Sequence, residues 1–123
     1  MPSEDDPEQL AQMEKAAKAM GMSLEEYRLG MTARVRLAKK LDESKVAAGD
    51  AGTVSIERDA NNPPKMLEIK ITDAGKELGA SKVGAALVAA LKTCSDEARK
   101  KRAEAQKDMM TYISDEMKAL GKA

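Results

Sequence analysis

"AGTVSIERDANNPPKMLEIKITDAG", Ala51 to Gly75, carries the strand signal of this 123-residue chain and decides its fold class. In "GTVSIER", Val54 and Ile56 alternate with Thr53, Ser55 and Glu57; in "KMLEIKI", Leu67, Ile69 and Ile71 alternate with Glu68 and Lys70. A period of two with one apolar face predicts two half-buried strands. "DANNPP" between them is a turn by composition. Pro64 has no N–H to donate, so pairing of the second strand is expected after it. The expected unit is a hairpin, and two strands alone do not bury a core.

Outward from the hairpin the sequence turns helical. A long helix is predicted from Ser81 to about Leu120, with one seam of Val83, Leu87, Leu91, Cys94, Ala98 and Ala105, continued by Met109, Ile113, Met117 and Leu120. Such a helix is about 55–60 Å long at 1.5 Å per residue, and its charged middle suggests contact with another helix. Upstream, Ser23-Leu24-Glu25-Glu26 is a capping box that starts a helix. Its stripe is Leu24, Tyr27, Met31, Val35, Ala38 and Leu41, and it is expected to fade between Val46 and Gly49. A shorter helix is expected from Pro7 to about Met20, capped by Ser3, Asp5 or Asp6 and ended by Gly21. "TDAGKELGAS" holds at most one helical turn between Thr72 or Asp73 and Gly79.

The expected fold class is therefore α+β: N-terminal helices, a small antiparallel hairpin sheet and a long C-terminal helix. The sheet is expected to be completed across a homodimer, with Val54, Ile56, Leu67, Ile69 and Ile71 as the candidate dimer interface. Residues 1–22 read as an acidic N-terminal extension with a short helix, and 23–123 as an α-β-β-α domain.

Composition narrows the function classes. Tyr27 and Tyr112 are the only aromatic residues, so the core must come from Leu, Ile, Val, Ala and nine Met. The 21 basic and 21 acidic residues balance, which argues against a strongly basic nucleic-acid binder. The charge is uneven, however: residues 1–22 hold five acidic and two basic residues, residues 81–123 nine basic and six acidic. With no His and the single Cys94, neither an internal disulfide nor a Cys/His metal cluster is available, and a reducing compartment is the simple expectation. No apolar run approaches the ~20 residues of a membrane span, and the acidic start is the wrong chemistry for a secretory signal or a transit peptide.

Two basic groups are candidate DNA contacts. The first is Arg99, Lys100, Lys101 and Arg102 with Lys92 and Lys107 nearby; the second is Arg34, Arg36, Lys39 and Lys40. Either could neutralise phosphates along a duplex. The plainer alternative for each is a solvated helix face, with i,i+4 partners such as Glu97–Lys101 and Lys100–Glu104 in the first. No aromatic residue interleaves them, so contact would be with the backbone and without base readout. Cys94 lies on the apolar seam and reads as a buried structural thiol, since no His is present to activate it. The acids Glu4, Asp5, Asp6 and Glu8 read as a solvated tail. The Met residues at 20, 22, 31, 109, 110 and 117 are core or interface filler, or else an adaptable partner groove. "GKELGASKVGAA" lacks the order of a phosphate-binding loop. No catalytic constellation and no cofactor are expected.

Three patterns together carry a family resemblance: the strand opening Gly52-Thr53-Val54-Ser55-Ile56, the strand Leu67-Glu68-Ile69-Lys70-Ile71, and the long helix "VGAALVAALKTCSDEARKKRAEAQKDMM" from Val83. In these, over about residues 24–118, the chain resembles the YbaB/EbfC family of bacterial nucleoid-associated proteins. The helix over 7–20 and the turn Asn61-Asn62-Pro63-Pro64 depart from the family's pattern. The resemblance implies a non-enzymatic homodimer with a shared sheet and protruding helices, a cytoplasmic, nucleoid location and DNA binding of little sequence preference. It assigns no DNA-contact residue. The alternative is a protein–protein interaction module, an adaptor or structural subunit, of the same fold with no significant DNA binding. Zero net charge and the Met-rich seam favour that alternative.

Overall fold

A computed structural model describes residues 6–121. The chain is α+β, in the order α1 (Pro7–Ala19), α2 (Leu24–Glu43), β1 (Lys45–Gly49), β2 (Val54–Asp59), β3 (Leu67–Ile71), α3 (Asp73–Lys76) and α4 (Ala80–Ala119). Two compact units are present: one is Ala38–Lys107, and the other comprises the segments through Leu37 and from Asp108 onward.

Local chemistry sets the helix starts. The Asp6 carboxylate accepts from the Glu8 N–H at 2.9 Å, so Asp6 is the cap of α1; the other two candidates, Ser3 and Asp5, lie outside the described residues. At α2 the capping box forms in both directions, Glu26 N–H donating to Ser23 Oγ at 3.1 Å and Ser23 N–H to Glu26 Oε1 at 3.2 Å. Thr72 caps α3 by accepting from Gly75 N–H. Gly75 leaves room there for the Thr53 carbonyl, into which any Cβ would run.

The sheet corrects the sequence reading in two places. It has three antiparallel strands in the order β1-β2-β3, not two. The missed strand is Lys45–Gly49, where α2 was expected to fade. Its Val-Ala-Ala centre has little strand propensity. It is held instead by pairing with β2, in the register Val46↔Arg58 and Ala48↔Ile56. The second correction concerns β3, whose five residues are all exposed although a half-buried pattern was expected.

The reason lies in α4. The core of the Ala38–Lys107 unit is Val46 and Ile56 against Ala90, Cys94 and Ala98, with Ala48 and Leu87 packed around them. The buried seam of α4 is therefore Ala90, Cys94, Ala98 and Ala105, while Leu91, placed on the seam by the sequence, is 43% exposed. The small side chains of α4 cluster with residues of β1 and β2, and β3 is left uncovered. Val54 and Ile56 are each 1% exposed, and burying side chains of this size is worth about 1.5–3 kcal/mol apiece. Both are consumed within the chain, so they are withdrawn from the candidate dimer interface; Leu67, Ile69 and Ile71 remain open.

The β2–β3 turn is tied down by one carboxylate. Asp59, 2% exposed, accepts from the Met66 N–H at 2.7 Å, the Asn61 N–H at 2.9 Å, and the Lys65 N–H and the Asn61 side-chain amide at 3.0 Å. Around it, Arg58 donates to the Asp59 and Asn61 carbonyls, Ala60 N–H donates to Leu41 O at 3.2 Å, and Arg102 Nη1 donates to Ala60 O at 3.0 Å. In the other unit, Met13 and Ala17 of α1 and Ala33 of α2 are buried, and the Arg36 guanidinium lies 4.2 Å from the centre of the Tyr112 ring.

Burial alone would raise the Asp59 carboxyl, but the hydrogen bonds from Asn61, Met66 and Lys65 outweigh it and hold the group below its ordinary value. A lowered folded value means stability that is present above the unfolded value, near 3.9, and lost as pH falls through the folded one. Asp59→Asn is expected to cost about 1–3 kcal/mol at pH 7. The gap to the native chain should shrink below about pH 4; urea unfolding at pH 7 and at low pH checks both. Ala98→Leu, forcing a larger side chain between α4 and the sheet, should cost about 1–3 kcal/mol in the same assay.

Candidate nucleic-acid interface and exposed sheet edge

A straight α-helix turns about 100° per residue. On that wheel Lys92, Arg99, Lys100 and Lys107 of α4, spaced i, i+7, i+8 and i+15, share an arc of about 100°. The buried seam Ala90–Cys94–Ala98–Ala105 sits on the opposite side. All four basic residues are exposed. The stripe is about 22 Å long at 1.5 Å per residue and lies wholly within the Ala38–Lys107 unit.

Its charge is partly offset. Arg99 is paired with Asp96, and Lys100 Nζ lies 3.3 Å from Glu97 Oε1. For Lys92 and Lys107 no ion pair is seen among the described residues. The pairs are i,i+3, one residue closer than the i,i+4 partners expected from sequence. They are exposed, so each contributes little to stability.

Several of the other basic candidates have partners of their own. Lys101 falls outside the arc, 4.0 Å from Glu104. Arg102 is half-buried and serves the fold through the Ala60 carbonyl. In the second group, Arg36 is stacked on Tyr112 and Lys39 lies 4.0 Å from Glu43. Arg34 and Arg36 belong to one unit, Lys39 and Lys40 to the other.

The outer edge of β3 carries the three residues of the expected dimer interface that stay exposed. Leu67, Ile69 and Ile71 are 48%, 48% and 38% exposed. They stand opposite Arg58, Ile56 and Val54, hence on the sheet face that α4 covers only over β1 and β2. Glu68 and Lys70 occupy the other face, 3.7 Å apart. The signal was legible as an alternation; which half of it would be covered was not.

Cys94 is buried, its thiol donating to the Ile56 carbonyl at 3.6 Å. Burial pushes the thiol up, and the Arg58 charge offsets this in part. Among the described residues no cluster of three His, Cys, Asp or Glu is placed to hold a metal, and no helix is long and apolar enough to cross a membrane. Compared with known proteins, the chain matches no family model, no curated protein and no solved structure.

A buried thiol with a raised pKa reacts only through opening of the structure. Cys94 is expected to resist a thiol reagent such as dithionitrobenzoate in buffer at pH 8. It should react at least about a hundredfold faster in denaturing urea, as time courses of the released chromophore would show.

Proposed function

We propose that this chain is a non-enzymatic protein that holds duplex DNA by its phosphate backbone, acting as a homodimer. The observation that carries the reading is the exposed stripe Lys92, Arg99, Lys100 and Lys107, set opposite the buried seam of α4. The resemblance of residues 24–118 to the YbaB/EbfC family supports it, and brings with it a cytoplasmic, nucleoid location. Four cations per chain without aromatic neighbours suit phosphate contact rather than base stacking. Asp96 and Glu97 temper the field of the stripe, so the binding is weak alone and strengthened when two copies act together.

A second reading, a protein-interaction module without significant DNA binding, is favoured by the exposed apolar residues of β3. Fluorescence anisotropy with a random duplex between about 20 and 200 mM salt decides between the two. Four phosphate contacts give a log–log salt slope of about −4 for one chain and about −7 for two. The combined variant Lys92→Ala/Arg99→Ala/Lys100→Ala/Lys107→Ala should abolish binding, while Lys101→Ala should change affinity by less than about twofold. An intact dimer that fails to bind at the lowest salt overturns the DNA reading and leaves the interaction module.

A further inference from the structure

The edge of β3 carries enough detail to specify its own partner. β3 is the last strand of the sheet, and all five of its residues are exposed. Its backbone phase is fixed by two bonds to β2, Asp59 N–H to Met66 O at 3.3 Å and Thr72 N–H to Thr53 O at 2.9 Å. In an antiparallel ladder the bonded pairs alternate. Residues 66, 68, 70 and 72 thus turn their backbone groups toward β2. Leu67, Ile69 and Ile71 turn theirs outward. The same three residues carry the exposed apolar side chains. A free, apolar edge of this kind is a template for another strand.

We propose that the occupant is a second copy of the chain, its β3 antiparallel to this one about a two-fold axis at Ile69. Ile69 then faces the partner's Ile69, and Leu67 faces the partner's Ile71. All three are outward-bonding residues, so the ladder closes without a phase error. The polar face makes the choice of register. With the axis at Ile69, Glu68 lies opposite the partner's Lys70, and Lys70 opposite the partner's Glu68. An axis at Glu68 would set Glu68 against its own copy, and an axis at Lys70 would do the same for Lys70. Like charges directly opposite destabilise a pair and unlike charges support it. The axis at Ile69 also pairs all five residues, and the apolar residues of both copies form one continuous patch on the face that α4 shares. Within one chain the Glu68–Lys70 contact is exposed and worth little; across the axis each group gains a second partner.

This inference rests on the homodimer of the proposed function but not on DNA, so association is measured first without nucleic acid. Sedimentation equilibrium is run on the native chain, on Glu68→Lys, on Lys70→Glu, on the double exchange Glu68→Lys/Lys70→Glu, and on an equimolar mixture of the two single variants. Each single change sets like charges opposite one another at both ends of the pairing and should raise the dimer dissociation constant about tenfold or more. The double exchange restores unlike pairs within a homodimer, and the mixture restores them within a heterodimer; both should return to within about threefold of the native value. A native chain that stays monomeric at about 100 μM overturns the inference, as do single variants that dimerise like the native chain or a mixture that is not rescued. Rescue of the mixture also shows that both single variants fold. Anisotropy on the same samples separates the two claims: a dimer without DNA binding sinks only the DNA reading, and a monomer that binds DNA sinks only the β3 pairing.

Discussion

The packing of one face of α4 on two strands is the constraint from which the rest of this structure follows. Ala90, Cys94 and Ala98 are small side chains, and with Val46 and Ile56 they form the buried cluster between helix and sheet. A chain with two aromatic rings has few other ways to fill a core. The small seam fixes which strands are covered. It also fixes which face of α4 points away, and that face carries Lys92, Arg99, Lys100 and Lys107. The same contact leaves β3 bare. The basic stripe and the apolar edge are thus two consequences of one packing decision.

The turn beyond β2 secures that arrangement. A carboxylate sealed among backbone N–H groups does there what a longer strand would do elsewhere. Asp59 satisfies three backbone donors of the turn, those of Asn61, Lys65 and Met66. Arg58 and Arg102 satisfy the neighbouring carbonyls. Buried charge is stable here because nearly every oxygen has a donor. Arg102 thereby leaves the solvent-facing charge set that its neighbours share.

Function in this chain would be distributed rather than concentrated. A stripe of four cations spaced over about four turns of helix neutralises a line, not a point. A five-residue strand edge recognises by backbone pattern and alternating side chains. In the proposed dimer both would gain by duplication, the first by summing charge and the second because its Glu68–Lys70 order is its own complement. A monomer offers half of each.

Much of this was written in the sequence. Proline, glycine and the Ser23–Glu26 capping box set the helix starts, and the end of α1, within a residue or two, because those signals act over one turn of chain; the end of α2 at Glu43 had no such signal. The alternation at Val54–Ile56 and Leu67–Ile71 announced two strands for the same local reason. The spacing of Lys92, Arg99, Lys100 and Lys107 was equally present, but it becomes a stripe only when the buried side of α4 is known. Tertiary structure alone decided that Lys45–Gly49 is a strand, since Val-Ala-Ala has no strong preference and the ladder with β2 supplies one. It alone set Ala90 rather than Leu91 in the buried seam, because the sheet selects the small side chain. And it alone divided two similar strand patterns, burying Val54 and Ile56 while exposing Leu67, Ile69 and Ile71. Periodicity fixes which residues share a face; only the helix packed upon that face determines which of them meet water.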